Sequence, residues 1–123
     1  MKLFLAHASA FDFRKKLYEP LRTSALNTEH EIILPEERKE IWNTKEDIES
    51  CDAFVVDVSM HSTGAGIEMG WAHAGGVPII AIHEKGSAPS SVVGYVATIA
   101  FEYDSPADLL AKLEEALKAV KKY

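Results

Sequence analysis

Glu68 is the side chain in this sequence whose surroundings best suit chemistry on a small ligand. It lies within Ser59-Met-His-Ser-Thr-Gly-Ala-Gly-Ile-Glu-Met-Gly-Trp-Ala-His-Ala-Gly-Gly, which joins the apolar run Ala53-Phe-Val-Val to a second one, Pro78-Ile-Ile-Ala-Ile. The order strand, Ser/Gly loop, helix, strand sets one carboxylate just inside a helix, directly behind the loop. Ligands of α/β sheets collect outside the carboxyl ends of parallel strands, and the free amides of a helix start attract anions, so this is a place for phosphate or sugar. The plainer alternative is a first-turn acid favoured by the helix dipole, a term of roughly 0.3 to 1 kcal/mol.

Other residues gather around that segment. His7 ends the first apolar run, and Asp57 stands near the end of the third, facing either the cleft or a neighbouring loop. Trp42 is a candidate stacking platform for a base, whereas Trp71 falls on the helix after the loop and reads as core or interface. His61 and His73 stand twelve apart, with no His-x-x-x-His and a single cysteine, so neither a metal nor another cofactor is expected. Cys51 reads as a half-buried helix end rather than a reactive thiol.

The elements that must carry these groups can be read from periodicity. Leu3-Phe-Leu-Ala is a short continuous apolar run, as in a strand covered on both faces. Phe13, Leu17 and Leu21 predict a helix over residues 10–25 with Arg14, Lys15 and Glu19 outward, and Pro20 is expected to kink or split it. Glu31-Ile-Ile-Leu makes a second strand closed by Pro35, and residues 36–45 read as loop or frayed helix. Thr44 followed by Asp47 matches a hydroxyl cap with an acid three residues on, which predicts a short helix over 44–51. Ala53-Phe-Val-Val-Asp-Val is strand three, with Asp52 as the turn residue that starts it; a helix opens at Ser62 or Thr63 and stops at Gly75-Gly76. Val77-Pro-Ile-Ile-Ala-Ile is strand four, a helical turn comes next over 90–95, and Thr98-Ile-Ala-Phe-Glu-Tyr is strand five. Ser105-Pro-Ala-Asp then opens a helix striped by Leu109, Leu110, Leu113, Leu117 and Val120, and Lys118, Lys121 and Lys122 form its solvated end.

Strands alternating with helices imply parallel pairing and right-handed crossovers, hence a three-layer α/β sandwich with a five-stranded parallel sheet of flavodoxin-like order 2-1-3-4-5. The winding then reverses between strands one and three, which would bring His7 and the segment from Ser59 to Glu68 to one cleft. At 123 residues, 47% hydrophobic and 26% charged, the whole chain, 1–123, is expected to be one domain. A formal charge of −6 argues against a nucleic-acid polymer, which needs clustered Lys and Arg. The opening apolar stretch is too short and badly flanked for a signal peptide, and no run approaches the roughly 18 to 20 apolar residues of a membrane span, so a soluble, cytoplasmic protein with no membrane partner is expected.

Asp52-Ala-Phe-Val-Val-Asp-Val-Ser, Ser62-Thr-Gly-Ala-Gly-Ile-Glu-Met-Gly-Trp-Ala and Gly76-Val-Pro-Ile-Ile together resemble the signature of the nucleoside 2-deoxyribosyltransferase family and of its relatives, the 2'-deoxynucleoside 5'-phosphate N-hydrolases. The likeness is strongest over 52–82. It implies that Glu68 attacks the anomeric carbon of a 2-deoxyribose and releases the base. A carboxylate nucleophile must lie bare against the sugar, and Gly64 and Gly66 remove side chains where ligand and backbone approach closely. Gly70 and Ala72 would let the same helix pack closely on the sheet.

The resemblance further implies a substrate. Transferases acting on free nucleosides usually carry an acid at the position of Ser62, whereas the monophosphate hydrolases carry a serine that binds phosphate; an uncharged donor at a helix start favours a dianion, which an Asp would repel. Ser90 or Ser91 would add a further hydroxyl, contributed across the interface of a homodimer or larger homo-oligomer. Two positions depart from the family pattern. Phe4 stands where a strand-one tyrosine is usual, and the second acid falls near Thr44, with Asp47 the closest carboxylate. The opening, Leu3-Phe-Leu-Ala-His-Ala-Ser-Ala-Phe-Asp-Phe-Arg-Lys-Lys-Leu, also resembles Toll/interleukin-receptor-like domains, which implies glutamate-dependent cleavage of NAD as an alternative. A non-catalytic nucleotide-binding module of the same fold is a third reading.

Overall fold

The computed structural model describes residues 1–38 and 44–121. Five strands, β1 (Lys2–Ala6), β2 (Glu31–Ile33), β3 (Ala53–Asp57), β4 (Ile79–Glu84) and β5 (Ile99–Tyr103), form one all-parallel sheet in the order β2-β1-β3-β4-β5, as expected. The helices are α1 (Glu19–Arg22), α2 (Leu26–Glu29), α3 (Thr44–Glu49), α4 (Thr63–Ala74), α5 (Val93–Val96) and α6 (Pro106–Val120). Among the described residues no helix is long and apolar enough to cross a membrane.

The strands read as continuous apolar runs because successive side chains enter opposite cores. Leu3, Leu5, Val55, Ile80 and Ile82 join Leu17 and Leu21 and the α6 stripe of Leu109, Leu113, Leu117 and Val120. Phe4, Ala6, Phe54, Val56, Ile79 and Ala81 join Ile48 of α3 and Ala65 and Ala72 of α4. All five residues of β3 are buried, so the central strand meets solvent only beyond its ends.

Pro20 does divide the first helix. Residues Arg14–Tyr18 form a π-helical turn, closed by a bond from the Glu19 amide to the Arg14 carbonyl, before α1 continues. A proline clashes with the carbonyl four residues back, here that of Lys16, and a wider turn ahead of it relieves the crowding. Asp52 starts β3 as expected, its carboxylate accepting from the Lys2 amide at 2.6 Å. Residues 36–45 begin as a single 3-10 turn, Pro35–Glu37. Trp42 and Lys122, to which the sequence assigned a stacking role and a solvated end, lie outside the described residues.

Both long helices are capped as their sequences indicate. Ser105 accepts from the Asp108 amide at 3.1 Å with Pro106 in the first turn. At the end of α4, the Val77 amide reaches the Ala72 carbonyl at 2.9 Å and the Gly76 amide that of His73 at 3.2 Å, a Schellman closure that turns at Gly76 with φ of 72°. The role expected of Gly70 requires correction. Gly70 is exposed, and a Cβ there would meet nothing within 4 Å, so close packing on the sheet falls to Ala65 and Ala72. Gly75 is the crowded position, where a Cβ would approach the Glu49 Cγ at 3.3 Å. Because a side chain in the left-handed region costs about 1 kcal/mol or more, Gly76→Ala should lower the urea midpoint by that equivalent without altering the folded spectrum.

Candidate active site

The site is built where β3 runs out. The Val58 amide extends the ladder to the Ile82 carbonyl at 2.8 Å, after which the chain turns at Ser59 and reaches Ser62 in extended conformation. Ser62 caps α4: its Oγ accepts from the Ala65 amide at 3.2 Å, and its carbonyl accepts from Gly66 at 3.0 Å. The amides of Thr63 and Gly64, at the first two helical positions, have no acceptor within the helix and carry the positive end of its dipole. The Ser62 hydroxyl proton stays available, so the helix start offers three donors to an anion.

In front of this helix start opens a hollow of about 540 Å³, between α4 and the approach to α5. Its wall includes Val56, Met60, Ser62, Gly66, Ser90 and Val92. Ser90 thus shares the hollow with Ser62, whereas Ser91 is exposed outside that wall. A Cβ on Gly66 would meet no protein atom within 4 Å, and one on Gly64 only the Ser62 Oγ at 4.0 Å. These glycines leave open space before the helix rather than serving packing within the protein.

Glu68 occupies the other flank of α4. Residues seven apart share a helix face, and Gly75 on that face abuts Glu49 of α3, so Glu68 looks toward α3 and the turn Pro35–Glu37. Burial, and secondarily the negative charge of Glu36, push its carboxyl up to about 7. The hollow expected between the ends of β1 and β3 is therefore not the one that opens beside Ser62. That hollow lies across the helix, and Glu68 is outside its wall. From Ser62 to Glu68 the backbone climbs roughly 9 Å at 1.5 Å per residue.

At the end of β1 the structure departs from several expectations. Phe4 is 1% exposed and stacks on Phe54 with ring centroids 5.9 Å apart, which makes it core rather than a ligand contact. His7 packs its ring on Phe13 at 4.2 Å, and its Nδ1 lies 3.0 Å from the Ala8 carbonyl, which can only accept. Nδ1 is therefore the protonated nitrogen, and Nε2 accepts from the Tyr18 hydroxyl at 2.7 Å. That hydroxyl in turn accepts from the Glu36 amide at 3.1 Å. Burial pushes Tyr18 up to about 12, so it remains a neutral donor. Asp47 is in an ion pair, its Oδ2 accepting from Arg38 Nη1 at 2.7 Å, and the acid that acts on Glu68 is Glu36. Asp57 turns its carboxylate to Tyr103, whose hydroxyl donates at 2.6 Å.

Glu36 and Tyr18 are the functional candidates that the sequence reading passes over. Glu36 carried one legible signal: it comes directly after Pro35, which closes the strand beside β1. Tyr18 carried none, since its place beside His7 depends on the π turn. His61 and His73 are exposed, and no group of three or more potential ligands that could hold a metal occurs among the described residues. Cys51 is buried, with its thiol pushed up to about 11 by desolvation, and is no nucleophile.

No protein-family model matches the chain, and no curated protein matches it. Solved structures do. A CMP N-glycosidase of Clostridium botulinum superposes with a TM-score of 0.69 at 24% identity, covering 93% of this chain and 99% of its own. A conserved protein from Enterococcus faecalis V583 gives 0.69 at 17% identity, over 94% of this chain and 98% of its own. A 2-deoxyribosyltransferase from Bacillus psychrosaccharolyticus gives 0.66 at 19% identity, over 84% and 87%. At these identities the likeness establishes the fold, which this chain shares over 93% of its length with the first structure and 84% with the third.

The position of Glu68 has a consequence for stability. Its folded pKa, about 7, exceeds the ordinary 4.5, so the folded state holds this proton more tightly than the unfolded state does. Stability is then lost as pH rises from about 4.5 to about 7 and the deficit is complete above that range. Glu68→Gln should unfold at higher urea than wild type at pH 8, and that advantage should vanish by pH 4.

Proposed function

We propose that this chain is an enzyme of the N-glycosidic bond, acting on nucleoside 5'-monophosphates, with 2'-deoxynucleotides favoured, through a covalent glycosyl ester on Glu68. The observation that carries the reading is the presence, within the first two turns of one helix, of a donor set built for an anion and of a half-buried carboxyl whose pKa is raised to about 7. The axial rise of roughly 9 Å from Ser62 to Glu68 suits a pentose 5'-phosphate laid across the end of α4, phosphate toward Ser62 and anomeric carbon toward Glu68. The names of two structures of this fold, a CMP N-glycosidase and a 2-deoxyribosyltransferase, support the same bond, and CMP is itself a nucleoside 5'-monophosphate.

In the first step an ionised Glu68 oxygen bonds to the anomeric carbon, the carbon–nitrogen bond breaks, and its electron pair leaves with the base, which takes up a proton. Water or a second base then displaces the glutamyl ester, restoring the carboxylate, as in retaining glycosidases. With a pKa of about 7, Glu68 is about half ionised at neutral pH; Glu36 acts on it as a negative charge, so the departing base takes up its proton from solvent. Asp47, ion-paired with Arg38, would have to leave that pair and take up a proton before serving as the second acid. Met60 and Val92 are exposed apolar side chains on the hollow's wall, which supports a second copy closing over Ser62 and Ser90.

Chromatography of a panel containing dCMP, CMP, the other deoxynucleotides, free deoxynucleosides and NAD tests this reading. Base should be released from monophosphates, and Glu68→Ala should reduce release by about four orders of magnitude. Release from NAD alone would transfer the assignment to the NAD glycohydrolase reading, and nucleotide-induced thermal stabilisation without release would leave a binding module. Ser62→Asp keeps a good cap, so it should fold while reversing the preference of monophosphate over nucleoside by at least about tenfold. The rate should rise with pH through about 7, and Glu36→Gln should move that limb down; Asp47→Asn moving it instead would exchange their roles.

A further inference from the structure

We propose that Tyr103, acting through Asp57, is a positioning residue that holds the anion-binding start of α4 in register with the sheet. The proposal rests on the reading that a substrate's 5'-phosphate binds at Ser62, and it adds a residue on the far edge strand of the sheet to that site.

Asp57 is the one charged side chain buried among the described residues, at 2% exposure. A carboxyl in that setting is tolerated only when its oxygens are hydrogen-bonded, and both are. Oδ2 accepts from the Tyr103 hydroxyl at 2.6 Å, and Oδ1 accepts from the Ser59 amide at 2.9 Å. The second bond is a side chain turning its own backbone two residues on, which reverses the chain where β3 ends. Ser59 is held from the other side, because its Oγ accepts from the Glu84 amide at 2.8 Å, and Glu84 pairs with Lys16 at 3.0 Å. The ends of β3, β4 and β5 are thus tied together at Ser59, three residues before Ser62.

The loop beyond Ser59 has few other restraints. Met60 is 42% exposed and His61 is exposed, and the next hydrogen bond along the chain among the described residues is the cap from Ala65 to Ser62. The path of this short loop, and the direction of the first α4 amides, is therefore set at Ser59. Asp57 borders the hollow where β3 ends, but its side chain shares the sheet face of Ala53 and Val55, opposite to that covered by α4, so its carboxylate acts on Ser62 through the backbone at Ser59. A valine would fill that core position equally well but would leave the Ser59 amide without this acceptor. Removing the Tyr103 hydroxyl deprives one buried Asp57 oxygen of its donor, and the carboxyl then turns toward water and releases Ser59.

Steady-state kinetics and amide hydrogen exchange on wild type, Tyr103→Phe and Asp57→Asn test the proposal. Tyr103→Phe should raise KM for the deoxynucleoside monophosphate about tenfold and KM for the matching free nucleoside by under about twofold. Amides 59–64 should exchange faster in the same variant. Asn can still accept from Ser59 and meet the Tyr103 oxygen, so Asp57→Asn should restore most of the nucleotide KM. A fall in kcat with both KM values unchanged, an equal rise in both, or exchange at 59–64 equal to wild type overturns the positioning role and leaves Tyr103 a core residue. Should wild type release no base from any nucleotide, the functional reading above falls, and the exchange comparison alone then decides whether the clamp exists.

Discussion

The enclosure of β3 organises everything else in this molecule. Its five residues are buried, its two edges pair with β1 and β4, and helices cover both faces. A strand so enclosed has every backbone group engaged and no side chain free for solvent, so polar chemistry can begin only past its end. Within eleven residues of that end the chain presents Asp57, Ser59, Ser62 and Glu68. The amides at the start of α4 are open because the helix begins there, and the loop leading to them is short because β3 and α4 must pack on the same sheet.

Helix α4 divides the labour between two flanks. One presents Gly66 and, with Ser62, the wall of a hollow lined in part by exposed apolar side chains; the other presents Glu68 toward α3 and the turn after β2. The two flanks have opposite electrostatic character. Uncovered amides and a hydroxyl favour negative charge, whereas partial burial beside Glu36 disfavours it at Glu68. A carboxyl whose pKa is raised to about 7 lowers the stability of the fold above that pH, a cost that groups placed for function commonly carry.

Much of the architecture was legible because it depends on local chemistry. Apolar run length separated five strands from the helices, Ser62 and Ser105 marked the two long helix starts, and Gly75-Gly76 marked one stop, each through a preference that acts within a few residues. Pro20 predicted disruption of the first helix, though not its form. The less legible features depended on contacts between distant segments. Gly70 looked like a packing glycine and faces solvent, while Gly75 takes the crowded place against Glu49. The family's second acid fell near Thr44 by count, with Asp47 the closest carboxylate, yet Arg38 engages Asp47, and Glu36 reaches Glu68 from a turn that polarity alone left unassigned. Phe4, offered as a site residue by alignment with a tyrosine, faces the α3 and α4 core with Phe54.

The sequence by itself determined the order of elements, the parallel sheet and the helix that carries Glu68 and its capping serine, since hydrophobic period, caps and breakers are short-range and survive without tertiary context. Only the tertiary structure decided which flank of α4 each group occupies, which acid neighbours Glu68, and that Tyr103 and Asp57 meet across β4. Those outcomes turn on helix rotation and strand register, where a shift of one residue moves a side chain to another face, and they are settled by the summed packing of the sheet rather than by any neighbouring residue.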